Sequence, residues 1–311
     1  MACLSLLLLA SCRRLPKAGP TPRPSITPTP RSTALPPVPT LAPPGTEENP
    51  LHMAVVIPDR EAIGDVVINA VESAMLTQAN LVVVVDLVDT DAQALAALCN
   101  SPGGTVSAAW MGGLAYAAAY AQDCGSAVLQ VERGTADDAT TGDKARIIVN
   151  PALDVSSVGD LEGSSFCRTR FDDPYSWMIP SLMLQAAGVS SDDLLQVIDY
   201  SDVNTLIADV ANGACDAAGL ASSALDSDSG VRTLQESVVI PYRLLVVPKQ
   251  LPFGQRQQMI DTLTAMSEGA QPESLEVLLD QSGLVRVADD DLTSLRGFIN
   301  RAGIDLAQAG M

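Results

Sequence analysis

The chain has 311 residues, with 37 Asp and Glu against 18 Lys and Arg, a formal net charge of −19, six Cys and one His. That length predicts two domains with ample chain for real cores and excludes a small disulfide scaffold. The acidic excess repels phosphate backbones and anionic headgroups, so nucleic acid is not an expected partner. The single histidine, His52, leaves few routes to a His-based triad or metal site and is expected in a solvent-exposed place.

Leu4 to Leu9 is almost unbroken leucine. The apolar run from Met1 to Ser11 is nevertheless far short of the ~20 residues a spanning helix needs, and residues 1–11 read as a signal peptide. The run ends Leu9-Ala10-Ser11-Cys12, which resembles a bacterial lipobox with Cys12 as the lipidated residue. No Lys or Arg precedes the leucines, so an ordinary secretory signal with an incidental cysteine remains the alternative. Residues 12–50 are rich in Pro, Thr, Ser and Arg, which suits a semi-extended tether. Together these segments predict an extracytoplasmic protein, held to the bacterial cell membrane by a lipid.

From Leu51 onward strand and helix patterns alternate. Leu51 to Ile57 reads as a buried strand closed by Pro58-Asp59, and residues 61–78 carry the apolar stripe of a helix. Leu81 to Asp86 is a second buried strand, and Asp89 or Thr90 caps a helix with Leu95 and Leu98. Thr105 to Trp110, Ala127 to Val131 and Ala145 to Val149 read as strands, with a Gly112-Gly113 turn and an Ala/Tyr helix to Gln122 among them. A second unit has strands near 165–168, 195–198 and 217–220, with helices at 177–187 and 205–212. The strand Leu244 to Val247 precedes helices around 255–266, 273–279 and 292–301. The rhythm implies parallel strands with helical crossovers, and ligands of such sheets bind beyond the carboxyl ends of the strands.

Beyond Cys3 and Cys12, Cys99, Cys124, Cys167 and Cys215 have no zinc-knuckle or redox spacing. In an exported chain they are expected to form disulfides in one of three connectivities, with free buried thiols as the alternative.

Several stretches in order resemble the periplasmic binding proteins of ABC importers, in particular the phosphate, phosphite and phosphonate group. They are Ala109-Trp110-Met111-Gly112-Gly113-Leu114-Ala115-Tyr116, Asp160-Leu161-Glu162-Gly163, Trp177-Met178-Ile179-Pro180, Ala211 to Ala218, and Ile240-Pro241. The resemblance implies an α/β two-lobe clamshell, each lobe a mostly parallel sheet flanked by helices, with two crossover strands between them. Lobe 1 would be residues 51–145 plus 239–311 and lobe 2 residues 146–238. The bridges Cys99–Cys124 and Cys167–Cys215 would each stay inside one lobe.

In that family a hydroxyl-rich loop at a helix N-terminus holds the oxyanion. Here Arg170-Phe171-Asp172-Asp173-Pro174-Tyr175-Ser176 stands there, so a carboxylate is expected to occupy the amides a phosphate needs. The second and third family loops read Ala152 to Val155 and Asp202-Val203-Asn204, without their usual hydroxyl or imidazole groups. The implied ligand residues are Asp59, Trp110, Tyr116, Asp173, Tyr175, Ser176, Asn204 and Thr205. Helix capping by Asp173 and Asn204-Thr205, and core packing by Trp110 and Tyr116, explain the same residues without a ligand.

The expected function is solute binding for an ABC permease, with no catalytic group, no cofactor and no metal. A ligand sensor or scaffold with a degenerate pocket, or a binder of a cationic or neutral polar solute, is the alternative. An enzyme on a related scaffold is a third reading, lowered by the absence of an obvious acid/base pair.

Overall fold

A computed structural model describes residues 42–57, 63–100, 105–135, 137–269, 272–287 and 292–303, and residue 19 alone. Cys12 and Asp59, with the signal segment and most of the tether, lie outside the described residues. The elements all belong to the compact unit 41–311.

The first sheet takes its strands from both ends of that unit. Its leading part comprises β1 (Leu51–Val56), β2 (Val83–Val88), β3 (Val106–Met111) and β4 (Gly125–Glu132), joined by α1 (Asp65–Ala79), α2 (Asp91–Cys99) and α3 (Gly113–Ala121). The second sheet follows with β5 (Gly142–Val149), β6 (Ser165–Arg168), α4 (Ile179–Ala186), β7 (Gln196–Asp199), α5 (Val203–Asn212), β8 (Ala217–Ala221) and β9 (Arg232–Pro241). The chain then returns through β10 (Leu244–Pro248), α6 (Phe253–Glu268), α7 (Pro272–Leu279), β11 (Gly283–Arg286) and α8 (Thr293–Arg301). Strand order is β11-β4-β10-β3-β1-β2 in the first sheet and β7-β6-β8-β5-β9 in the second. This is the two-lobe α/β architecture expected from the sequence. The expected boundaries after residues 145 and 238 fall inside β5 and β9.

The sheets are mixed rather than mostly parallel. β1 pairs in parallel with β2 and β3, whereas β10 runs against both β3 and β4, and β11 against β4. In the second sheet β6 is parallel to β7 and β8, and β5 runs against β8 and β9. The reason lies in the connections. β5 enters its sheet where β8 ends, with Ala145 opposite Ala221, and β10 enters its sheet where β3 ends, with Leu244 opposite Met111. A strand entering at that edge can only run away from it.

The first sheet is buried on both faces, as its unbroken apolar runs require. Met53, Val55, Trp110 and Leu245 pack under α1, α6 and α7, while Ala54, Ala109, Met111 and Leu244 pack with α2, α3 and α8. α3 is apolar around almost its whole circumference because it lies inside that second layer. β9 and β11 were not expected. Both are edge strands with a single partner, so little burial is written into their residues.

The disulfides are Cys99–Cys124, from the end of α2 to the start of β4, and Cys167–Cys215, from β6 to the approach of β8. His52 is half-buried rather than free in solvent, with Nδ1 2.7 Å from the Asp86 carboxylate on the neighbouring strand.

Asp160 closes a capping box by accepting the Ser156 and Ser157 N–H groups at 2.9 and 2.8 Å, which holds its carboxyl at about 2. A folded-state value below the unfolded one stabilises the protein above the ordinary carboxylate range, and that contribution is lost as pH falls toward about 2. An Asp160→Asn variant should therefore be less stable at neutral pH and show a shallower decline between about pH 4 and pH 2. Parallel wild-type and variant curves in thermal unfolding would contradict this.

Candidate functional site

The strand registers decide which ends of the two sheets meet the crossing segments. β1, β2, β3 and β4 end, and β10 and β11 begin, on one edge of the first sheet. β6, β7 and β8 end, and β5 begins, on one edge of the second. The two crossings, residues 133–141 and 242–243, run from one of these edges to the other. The carboxyl edges, where open α/β sheets bind ligands, are thus the ones brought together at the hinge. Ala152 to Val155 is not among them. β5 carries it to the far end of the second sheet, where Val149 lies opposite Ala217 and Arg232 donates to the carbonyls of Leu153 and Val155.

On the second lobe, one π-helical turn (Pro174–Met178) leads into α4. Its cap is Asp173, whose Oδ1 accepts the Tyr175 N–H at 2.8 Å and the Ser176 N–H at 2.6 Å. Pro174 has no N–H to offer, so the carboxylate takes the amides that the turn presents. Arg170 holds the neighbouring Asp172 through two bonds, of 2.8 and 2.6 Å, and lowers its pKa. α5 repeats the pattern. Asp202 accepts from Thr205 N–H at 2.7 Å and from the Thr205 hydroxyl at 2.8 Å, and these bonds lower its pKa. Asn204 and Thr205 are exposed in that first turn.

Ser176 was expected to face a ligand, but its side chain is buried and its hydroxyl meets that of Thr169 at 2.8 Å. The turn lies so close to β8 that a side chain on Gly219 would collide with the Ser176 carbonyl and Pro180. Trp177 stacks under the Arg168 guanidinium at 4.6 Å, and Arg168 pairs with Asp199 at 2.6 Å, both at strand carboxyl ends.

Tyr175 reaches the hinge itself. Its hydroxyl donates to the Ile240 carbonyl at 3.2 Å, and Asp143 is the residue opposite Ile240 in the β5/β9 pair. Burial, with the nearby Asp143 carboxylate and Tyr242, pushes the phenol above its ordinary range. Ser223 holds Asp143 through its N–H and hydroxyl, at 3.1 and 2.5 Å. Arg133 lies 4.5 Å over the Tyr242 ring and pairs with Asp280 at 2.9 Å. These hinge residues had no motif of their own; only Ile240-Pro241 marked the place.

On the first lobe, Asp91 from α2 accepts the Gly112 N–H at 3.0 Å, just before α3. Burial raises its pKa, opposed by that bond and by Arg243. Gly113 is required where it stands, because a side chain there would press into Ile240 and Pro241. Tyr116 and Trp110 were expected at the ligand, but both are fully buried. The Tyr116 hydroxyl accepts from Arg296 of α8 at 3.0 Å, which turns it toward that helix. Trp110 is sunk under α1, α6 and α7, with its indole N–H unpartnered among the described residues. Among the described residues no group of His, Cys, Asp and Glu is arranged to hold a metal, and no helix is long and apolar enough to cross a membrane.

A family profile described as "ABC transporter, phosphonate, periplasmic substrate-binding protein" matches residues 73–292. Solved structures share the fold at low identity. XAC2383 from Xanthomonas citri, bound to chloride, superposes with a TM-score of 0.60 at 13% identity, covering 81% of this chain and 97% of its own. PhnD1 from Prochlorococcus marinus, in complex with methylphosphonate, gives 0.52 at 15% identity over 82% and 98%. A binding protein component of an ABC phosphonate transporter (PA3383) from Pseudomonas aeruginosa gives 0.51 at 16% identity over 82% and 87%. No curated protein sequence matches the chain.

The Tyr175 hydroxyl ties the loop before α4 to the hinge strand β9. Tyr175→Phe should cost about 1 kcal/mol, since the Ile240 carbonyl at the hinge loses a partner in a part-buried place. Urea unfolding should show a lower midpoint at unchanged slope. An unshifted midpoint would mean that the bond contributes nothing.

Proposed function

The chain belongs to the phosphonate family of periplasmic substrate-binding proteins of ABC transporters, and from that premise we propose that it is a lipid-anchored solute receptor whose helix-end oxyanion loops are closed by its own carboxylates. Members of this family bind solutes outside the cytoplasm and catalyse nothing. Lipidation at Cys12 is supported by Leu9-Ala10-Ser11-Cys12 and by the Pro-rich stretch behind it, which would hold the lobes off the membrane. The two disulfides suit an oxidising compartment. The partner would be a membrane permease that receives the captured solute.

The observation that carries the reading is Asp173 Oδ1 on the amides of Tyr175 and Ser176. An oxyanion arriving there would have to displace a covalently tethered carboxylate and endure its charge. Asp202 does the same at α5. The solute is therefore captured between the lobes without the contacts that a helix N-terminus gives phosphate.

Titration calorimetry with methylphosphonate tests this directly. Asp173→Gly frees both amides at little cost to the helix and should bind methylphosphonate at least about tenfold tighter than wild type, the effect of removing about one unit of opposing charge interaction. Equal affinity in the two proteins would defeat the closed-loop reading. Palmitate labelling should in turn disappear in Cys12→Ala, and labelling retained there would place the anchor elsewhere.

A further inference from the structure

Among the described residues the two sheets have four edge strands, β2 and β11 in the first and β7 and β9 in the second. A free edge carries a row of backbone groups able to pair with another chain. Three of these edges are blunted by their own make-up. β11 (Gly283–Arg286) and β7 (Gln196–Asp199) are only four residues long. β9 is longer, but its register against β5 shifts twice, it carries Arg232 and Glu236, and α8 packs against it. β2 has none of these devices. Its six residues, Val83-Val84-Val85-Asp86-Leu87-Val88, pair with β1 one for one without a break. A run so rich in Val and free of Pro and Gly is the composition that joins strands between molecules. Its single charge, on Asp86, is drawn to His52 of β1.

The hydrogen bonds at the ends of β2 fix which backbone groups face outward. The Leu51 N–H donates to the Val82 carbonyl at 2.9 Å and the Ile57 N–H to the Val88 carbonyl at 2.8 Å. Residues 82, 84, 86 and 88 therefore turn their backbone groups toward β1, and Val83, Val85 and Leu87 turn theirs to the free edge. The middle one is occupied. Glu72 of α1 accepts the Val85 N–H on Oε1 at 2.9 Å, in a part-buried place, so its carboxylate sits on the edge itself.

The position of this bond decides what it excludes. Two copies of β2 meeting edge to edge about a two-fold axis run antiparallel. With Val85 on the axis it faces its own copy, and Val83 faces the second copy's Leu87, so every outward residue enters a doubly hydrogen-bonded pair. The Glu72 carboxylate lies where the central pair would form. A second copy also brings a second carboxylate to the same axis, and like charges oppose the approach.

We propose that Glu72 guards the β2 edge against pairing with the β2 strand of a second copy. The inference concerns self-association and stands apart from the solute and its site.

Sedimentation velocity and amide hydrogen exchange on the full chain test it. In wild type the Val85 amide should exchange slowly, and exchange at Val83, Val85 and Leu87 should not depend on protein concentration. Glu72→Ala keeps α1 helical. It should self-associate at concentrations at least about tenfold below wild type, because the Val85 donor is freed and the opposing charge removed. Exchange at the three outward residues should then slow as concentration rises. Adding Val83→Pro removes one outward N–H at the first residue of the strand, where proline is tolerated, and should reverse the association. Glu72→Ala that associates no more than wild type, or association that survives Val83→Pro, overturns the proposal. So does a wild-type Val85 amide that exchanges as freely as an exposed one, a readout that needs no variant.

Discussion

The pairing of β5 with β9 is the constraint on which the rest of the architecture depends. Gly142 lies opposite Pro241, and β9 comes so close that a side chain on Gly142 would overlap the Ile240 carbonyl. The chain leaves the first sheet and returns to it beside this contact. Both crossings are thereby confined to the carboxyl edges of the two sheets. The reversed strands β5 and β10, the juxtaposed helix N-termini and the polar cluster around Tyr175 and Tyr242 all follow from that confinement.

Charge at those edges is distributed unevenly. The chain is strongly acidic, yet the carboxylates near the second lobe's strand ends are engaged: Asp173 and Asp202 by amides, Asp172 and Asp199 by arginines, Asp143 by Ser223. Each of these carboxylates is therefore already hydrogen-bonded or ion-paired within the protein. Across the hinge, Arg243 is poorly matched in a part-buried setting where the dielectric is low and charge weighs more.

Much of the fold was legible in the order of the apolar runs. The runs at residues 51–57, 165–168, 217–220 and 244–247 became strands close to their expected bounds, and Thr90 caps α2. A strand buried on both faces must be apolar throughout, so its signal is strong. β9 and β11 escaped notice because an edge strand meets one neighbour, and strand direction escaped because a run of apolar residues reads the same either way. At the site, the carboxylate at Asp173 was foreseen, since helix capping is local in sequence. The setting of Gln281 was not, because nothing in a lone glutamine says that its amide will be buried without a partner among the described residues.

The amino-acid sequence by itself determined the acidic composition, the apolar runs of an α/β core, the alternation of strands and helices, the family likeness and the carboxylates at the helix starts, which rest on composition and on neighbours a few residues apart. Only the tertiary structure decided which edges of the sheets meet, which way β5 and β10 run, that Trp110 and Tyr116 are buried, and which donors go unpaired. Those outcomes depend on segments far apart in the sequence, such as Trp110 of β3 and Leu245 of β10, coming to pair in one sheet. No local pattern encodes such a meeting; it exists only once the chain has closed on itself.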